Sequence, residues 1–440
     1  MHRGSLGLCL ALVARAAVAQ EVAVLPPAPV ITLEEALRRA TAAQPAVIQA
    51  QGDMNAASAA KRAAFGNWLP TLSMNGTGTR AFQEGEDRVD LTTGQRVPGD
   101  VSTTNASSGL QARWDVFTGF SRGAQSRAAG ASYDAAEASL VDAEAQVTLE
   151  TTQEFLNALA AAQLVRVRQA SLGRAEEQLK VSVAKLRTGS ATRSDSLRSL
   201  VQVGEAQVGV LQAMAQQAQA EANLARLVGL PGRVAAADDS SFYRIVTTID
   251  TAALRAAAEA RSPRVAVAEA NAEVARANHS VSKSGYWPTL SLAGNLGYSG
   301  GAPSGDPLHL NHSRSLSLQG SWNIFNGFDR EATIAVRAAS ADAAEATASD
   351  TRRQVAAALT GYVANLQAAR LQTEITRTSL QAAEEDLRVQ QERYRLGAAT
   401  ILDVLTSQVT LNEAEVAAVN ARFAYLTAKA QIEALIGRPL

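Results

Sequence analysis

Site-building side chains are thinly spread in this chain, which has four His and one Cys in 440 residues. His309 and His312 form an HxxH, with Asp306 as the only nearby acid in sequence. A metal centre needs three or four ligands held by a second shell. A solvated outer loop is therefore expected there, with no metal and no cofactor. No Gly-x-Ser-x-Gly, phosphate-cradling glycine loop or Cys/His cluster is present, so no enzymatic activity is expected. Two acids share a repeated setting instead: Asp195 follows Gly189 by six residues, and Asp403 follows Gly397 by six. A carboxylate so placed can sit in the first turn of a helix, where the helix dipole favours it. Gathered around a symmetry axis by several copies, it would also form a ring of like charges that draws cations and raises each member's pKa.

What positions these residues is a duplication. Trp68-Leu69-Pro70-Thr71-Leu72-Ser73 recurs 218 residues later as Tyr286-Trp287-Pro288-Thr289-Leu290-Ser291, and Pro45 recurs as Pro263. Trp114-Asp115-Val116-Phe117-Thr118-Gly119-Phe120 recurs 208 residues later as Trp322-Asn323-Ile324-Phe325-Asn326-Gly327-Phe328. The offset of 208 then carries Gly189, Thr192, Asp195 and Leu197 onto Gly397, Thr400, Asp403 and Leu405. A longer loop in the first half accounts for the single change of offset. Each half reads as a helix (33–66 or 251–285), a strand pair and a long helical hairpin. The expected division is a signal peptide over 1–19, a proline-rich leader over 20–30, a first repeat over 31–231, a linker over 232–250 and a second repeat over 251–440. The β-hairpins are expected at about 70–118 and 289–326, and the helical hairpins at about 120–228 and 328–436.

The strand pairs alternate with period two. Leu290, Leu292, Gly294, Leu296 and Tyr298 share one face, while Thr289, Ser291, Ala293, Asn295 and Gly297 share the other. The second stretch, 315–325, sets Leu316, Leu318, Gly320, Trp322 and Ile324 against Ser, Gln and Asn. Apolar-out, polar-in alternation over ~10 residues with terminal aromatics fits a membrane β-strand as well as a soluble hairpin. Trp68, Trp114, Trp287 and Trp322 fall at the strand–helix borders, where interfacial anchoring or junction packing would suit them. No proline interrupts 121–186 or 329–394, and at ~1.5 Å per residue such stretches reach about 100 Å. Leu172, Leu179 and Leu186, then Leu380, Leu387 and Tyr394, recur every seven residues, as do Tyr133, Leu140 and Val147. Heptads hold one seam against a partner helix. Alanine between them explains a chain that is 47% hydrophobic yet only 5% aromatic. Gly229 with Pro231 and Gly437 with Pro439 stop the return helices.

The N-terminus has a polar start (His2, Arg3), an apolar run from Leu6 to Val13 and Ala17-Val18-Ala19 as a small-residue cleavage site. Removing it discards Cys9 and leaves 39 basic against 42 acidic residues. So near-neutral a chain does not suit nucleic acid. Four membrane strands cannot close a barrel with a lumen, and an open sheet in lipid leaves unsatisfied edges. Copies must then share one barrel: a dimer's eight strands would be filled by side chains, a trimer's twelve would leave a pore. A periplasmic adaptor and a coiled-coil scaffold stand as alternatives, although an adaptor normally has one helical hairpin rather than two.

With the duplicated order and these motifs in view, the chain resembles the TolC-type outer-membrane efflux proteins. The resemblance implies a mainly α protein with β: long coiled-coil hairpins and two transmembrane β-hairpins per chain. It implies a homotrimer whose twelve-stranded barrel continues into an α-helical periplasmic tunnel in the outer membrane. It also implies docking to a periplasmic adaptor (membrane fusion) protein and an inner-membrane RND or ABC transporter, for efflux or type I secretion. Residue by residue, Gly189 and Gly397 match the periplasmic tip turns, where a break between helices also suits positive φ. Asp403 matches the entrance ring, Asp195 the corresponding acid of the first hairpin, and Tyr394 a gate tyrosine. Trp68, Pro70, Phe117, Gly119, Trp287, Pro288, Phe325 and Gly327 match the barrel–tunnel junction. Thr406 replaces a second ring aspartate and Ala399 replaces a latch arginine, which implies a weaker constriction and a different latch.

Overall fold

The computed structural model describes residues 28–89, 92–97, 101–239, 250–303 and 308–437. The signal and most of the leader, with Cys9, lie outside these, as do Asp306 and Pro439. In chain order, β1 (Val30–Ile31), α1 (Leu33–Ala43) and α2 (Pro45–Gly66) lead into β2 (Thr71–Gln83). Two short strands, β3 (Arg88–Val89) and β4 (Arg96–Val97), precede β5 (Val101–Thr118). Then come α3 (Ser121–Arg187), α4 (Arg193–Leu227) and β6 (Ala235–Ala236). The second half holds α5 (Thr251–Arg261), α6 (Pro263–Ser282), a 3₁₀ turn at Lys283–Tyr286, β7 (Thr289–Pro303), β8 (Asn311–Ser321), α7 (Asp329–Arg395) and α8 (Ile401–Ile436).

The structure departs from the sequence reading at several places. The leading helix of each half is two helices, because Pro45 and Pro263 take the first position of a new one. Proline has no N–H to give and its ring clashes with the carbonyl four residues back. Val30 of the expected leader and Ile31 at the start of the first repeat pair in parallel with Ala235–Ala236 of the expected linker; two residues are too few to show alternation. His312 is not in a loop but is the second residue of β8, where Asn311-His312-Ser313-Arg314 offers no apolar signal.

The chain divides into two compact units that cut across the repeats. One takes Met1–Leu37, Glu154–Ser240 and Ala382–Val419; the other takes Arg38–Gln153, Ser241–Gln381 and Asn420–Leu440. In the second unit Leu140 and Val147 of the α3 heptad pack on Ala40 and Val47. Small residues let helices approach closely elsewhere too: Ala128 and Ala131 meet Ala277, flanked by Val274 and Val281. In the first unit Leu387 and Tyr394 are buried on α7, and Phe155, Leu159, Leu224 and Leu227 form the deepest packing of α3 and α4.

The second unit also carries an antiparallel sheet of order β2-β5-β7-β8. Its central pairing, β5 with β7, joins the two repeats, with Arg113 opposite Ala293 and a bulge between Asp115 and Phe117. Register puts Leu72, Ala112, Gly294 and Leu316 in one row of one face, and Met74, Leu110, Leu296 and Arg314 in the next. The opposite face is built mainly of Ser, Thr, Asn, Gln, Gly and Ala, with Arg113 and Asp115 paired at 3.3 Å. The apolar face is open to solvent: Met74 is 81% exposed and Leu316 77%. Both outer strands present an unpaired edge. β8 stops at Ser321 although its alternation runs to Phe325, whereas the equivalent β5, paired on both sides, continues through Thr118.

Candidate entrance tips and strand–helix junctions

At the end of α3, Gly189 has φ 74°. Its N–H bonds the Leu186 carbonyl and the Ser190 N–H bonds that of Lys185, the paired bonds of a glycine C-cap. Three residues later Thr192 caps α4: its hydroxyl accepts from the Asp195 N–H, and the Asp195 carboxylate accepts from the Thr192 N–H at 2.9 Å. The second hairpin repeats the arrangement. Gly397 has φ 80°, Ala398 donates to the Arg393 carbonyl, and the Asp403 carboxylate accepts from the Thr400 N–H at 2.7 Å and its hydroxyl at 2.8 Å. The Gly-x-x-x-x-x-Asp spacing is thus a glycine stop followed directly by a capping box. The Thr400 N–H, then its hydroxyl, with a further contribution from Arg393, holds the Asp403 carboxyl below its usual range.

Neither aspartate meets the expected gate tyrosine among the described contacts. Tyr394 is buried, its hydroxyl lacks a partner, and the Lys185 ammonium lies 4.2 Å from its ring centroid while donating to the Tyr394 carbonyl. Eleven residues back along α3, Arg174 forms a bidentate pair with Glu415 of α8, the longer bond being 3.1 Å. Gln408 donates to the Arg174 carbonyl. The first hairpin is therefore tied to the second by cations of α3, Lys185 and Arg174, whose sequence context gave no signal. Thr406 lines an apolar groove of about 530 Å³ with Leu197, Val201, Leu402 and Val409.

The junctions belong to the other unit. Pro70 and Pro288 stand immediately before β2 and β7. Gly119 and Phe120 both have positive φ, 61° and 67°, as do Gly327 and Phe328, 69° and 67°. Two such residues in succession turn the strand sharply into α3 or α7. A phenylalanine there is strained, and ring contacts offset it: Phe117 meets Phe120 edge-on at 5.3 Å, Phe120 meets Trp287 at 5.2 Å, and Phe325 meets Phe328 at 5.4 Å. The Trp114 indole donates to the Trp68 carbonyl and that of Trp322 to the Tyr286 carbonyl, each at 3.2 Å. Sequence reasoning missed Arg122 and Arg330, themselves 208 apart. Arg122 lies 4.8 Å from the Trp68 ring and donates to the Val116 carbonyl at 2.8 Å. Arg330 lies 4.2 Å from the Tyr286 ring and donates to the Asn323 carbonyl at 3.2 Å. Each clamps the strand end to the helix start; the shared offset was the available clue.

Among the described residues no helix is long and apolar enough to cross a membrane, and no cluster of three or more His, Cys, Asp or Glu could hold a metal. This sheet, apolar on one open face and polar on the other, and the duplicated long hairpins are what the comparisons with known proteins place in an outer-membrane export channel that reaches into the periplasm. The family described as outer membrane efflux protein matches residues 36–230 and 254–438, and the chain belongs to it. Among relatives, the pyoverdine export outer membrane protein OpmQ of Pseudomonas putida is 27% identical over 351 residues, 76% of this chain and 69% of that protein. Protein CyaE of Bordetella pertussis is 24% identical over 383 residues, 86% of this chain and 78% of that one. The outer membrane protein VceC of Vibrio cholerae shares the fold, with a TM-score of 0.73 at 18% identity over 92% of this chain and 96% of that one. Family and fold are those of transport channels.

Proposed function

We propose that three copies close a twelve-stranded barrel over a helical tunnel, forming the exit duct for an inner-membrane RND or ABC transporter joined through a periplasmic adaptor. The sheet with two free edges carries this reading, since lipid cannot satisfy the open N–H and C=O groups of β2 and β8. Duplication supplies the closing contact. Within the chain the first repeat's β5 pairs with the second repeat's β7. The same relation carried forward pairs β8 with β2 of the next copy, setting Ser317 opposite Thr79 as Gly109 is opposite Gly297. A head-to-tail contact of this kind closes into a ring when its rotation allows. It also explains why β8 stops early: residues 322–326 would extend only against a neighbour.

In that ring three Asp403 carboxylates line the entrance and attract cations, with Asp195 beside them in the first hairpins. Gly189 and Gly397 form the tips that meet the adaptor. Residues 1–19 direct export and are removed, and the two repeats fold as one channel-forming chain. The closure test is Ser317→Cys combined with Thr79→Cys. Oxidised outer-membrane fractions should give intermolecular crosslinks up to a trimer and none within a chain. Native-sized trimers without that crosslink would refute the register, and a monomer throughout would refute the assembly.

A further inference from the structure

Resting on the channel reading, we propose that the apolar face of the sheet carries a specific site for lipid A, the phosphorylated glycolipid of the outer leaflet, with Arg314 holding a phosphate and the sheet seating an acyl chain. Two arginines stand on this face: Arg80 lies 5.0 Å from the Phe82 ring near the outer end of β2, whereas Arg314 is set among aliphatic side chains. Register sets Arg314 in the row of Met74, Leu110 and Leu296, and among the described residues no acid or acceptor engages its guanidinium. It stands three residues inside the outer end of β8 and seven from the inner end. A lipid-facing arginine is costly at mid-membrane and nearly free of penalty at the interface. Tyr298 and His312, paired in the next row outward, mark the headgroup level, where aromatic rings settle.

Directly inward of Arg314 the sheet is hollow. Ala112 and Gly294 lie side by side in one row, walled by Leu72 and Leu316 at its ends and by Leu110 and Leu296 in the row above. The trough measures about 440 Å³ and Arg314 contributes to its rim. An apolar slot ending at an unpaired guanidinium is complementary to an acyl chain ending at a phosphate, which arginine grips through two parallel N–H bonds. Barrel closure leaves the trough facing lipid: its floor, Ala112 and Gly294, is on the inner strands β5 and β7, and the next copies meet the sheet beyond its end walls Leu72 and Leu316. The outer half of the strand places it in the leaflet where the phosphorylated lipid is lipid A rather than a phospholipid.

The test uses intact trimers purified from outer membranes in mild detergent, stripped of lipid and titrated with lipid A or with phosphatidylglycerol, bound lipid being counted by native mass spectrometry. Lipid A should bind the unaltered protein in preference to phosphatidylglycerol. Arg314→Gln should weaken lipid A by about tenfold, the worth of one charge-assisted contact, while Arg314→Lys, which keeps the charge but not the paired N–H bonds, should fall between the two. Gly294→Leu should weaken it independently by filling the trough; a Cβ at Gly294 meets only the tip of Leu316, at 3.7 Å. Equal binding by Arg314→Gln and Gly294→Leu, or equal preference for phosphatidylglycerol, would overturn the site while leaving the channel intact. Absence of trimers in the unaltered protein would instead overturn the channel reading.

Discussion

Gly119→Ala should destabilise the strand–helix junction more than any other single methyl added there. The φ of 61° costs an alanine about 1–2 kcal/mol relative to glycine. The new Cβ would also lie 2.8 Å from Trp287 Cβ and 2.9 Å from the Ser284 carbonyl oxygen. Neither is the movable end of a side chain, so the backbone must shift, at roughly 1–3 kcal/mol for overpacking. The sum, about 2–5 kcal/mol, lowers the folded-to-unfolded ratio roughly 30-fold to several thousand-fold. Gly327 is the internal control. Its φ is 69° but nothing lies within 4 Å of a Cβ there in the single chain, so Gly327→Ala should cost the unassembled chain only the ~1–2 kcal/mol of the backbone. Denaturant titration of detergent-solubilised chains, followed by tryptophan fluorescence, reads the difference. Gel migration with and without heating reports assembly. A Gly119→Ala midpoint equal to wild type, or a larger loss for Gly327→Ala before assembly, would refute the reasoning.

Other outcomes can be checked on the same material. Asp403→Asn should reduce cation selectivity in planar bilayers, seen as a smaller reversal potential in a salt gradient; an unchanged value would remove Asp403 from the pore. Hydrogen bonds from Thr400 depress the Asp403 pKa below the ordinary carboxylate value. Its contribution to the tip is therefore complete above the unfolded value and lost as pH falls through the lower folded one. Proteolysis at the second tip of the unassembled chain should rise as pH falls through and below the ordinary carboxylate range, and Asp403→Asn should abolish that rise. Glu415→Gln should destabilise by about 1–2 kcal/mol, because it leaves Arg174 partly buried beside a neutral acceptor. A double-mutant cycle with Arg174→Met measures the coupling, and a coupling near zero would dismiss the pair.

The contrast between Asp195 and Asp403 on one side and Lys185 and Arg174 on the other shows where sequence reading works. Glycine, threonine and aspartate at fixed spacing act within a few residues of one another. The tips were therefore legible as helix breaks, and the structure adds that the acids are also caps. The duplication, the alternating faces and the alanine seams were legible for the same reason: each is periodic along the chain. Arg122 and Arg330 were less visible, because a clamp between strand end and helix start leaves no period, only a shared offset. The early end of β8 was not visible at all, since alternation records what a strand would do once paired on both sides.

The chain by itself thus determined a twice-repeated unit of leading helix, strand pair and long hairpin, with glycine at each tip, because backbone preference and side-chain period are local properties. Only the tertiary structure decided that β5 pairs with β7 across the repeats, that Lys185 and not an aspartate accompanies Tyr394, and that Arg314 stands at the rim of an apolar trough. Each joins residues far apart in sequence, and such partners are chosen by strand register and helix packing, which no single segment encodes.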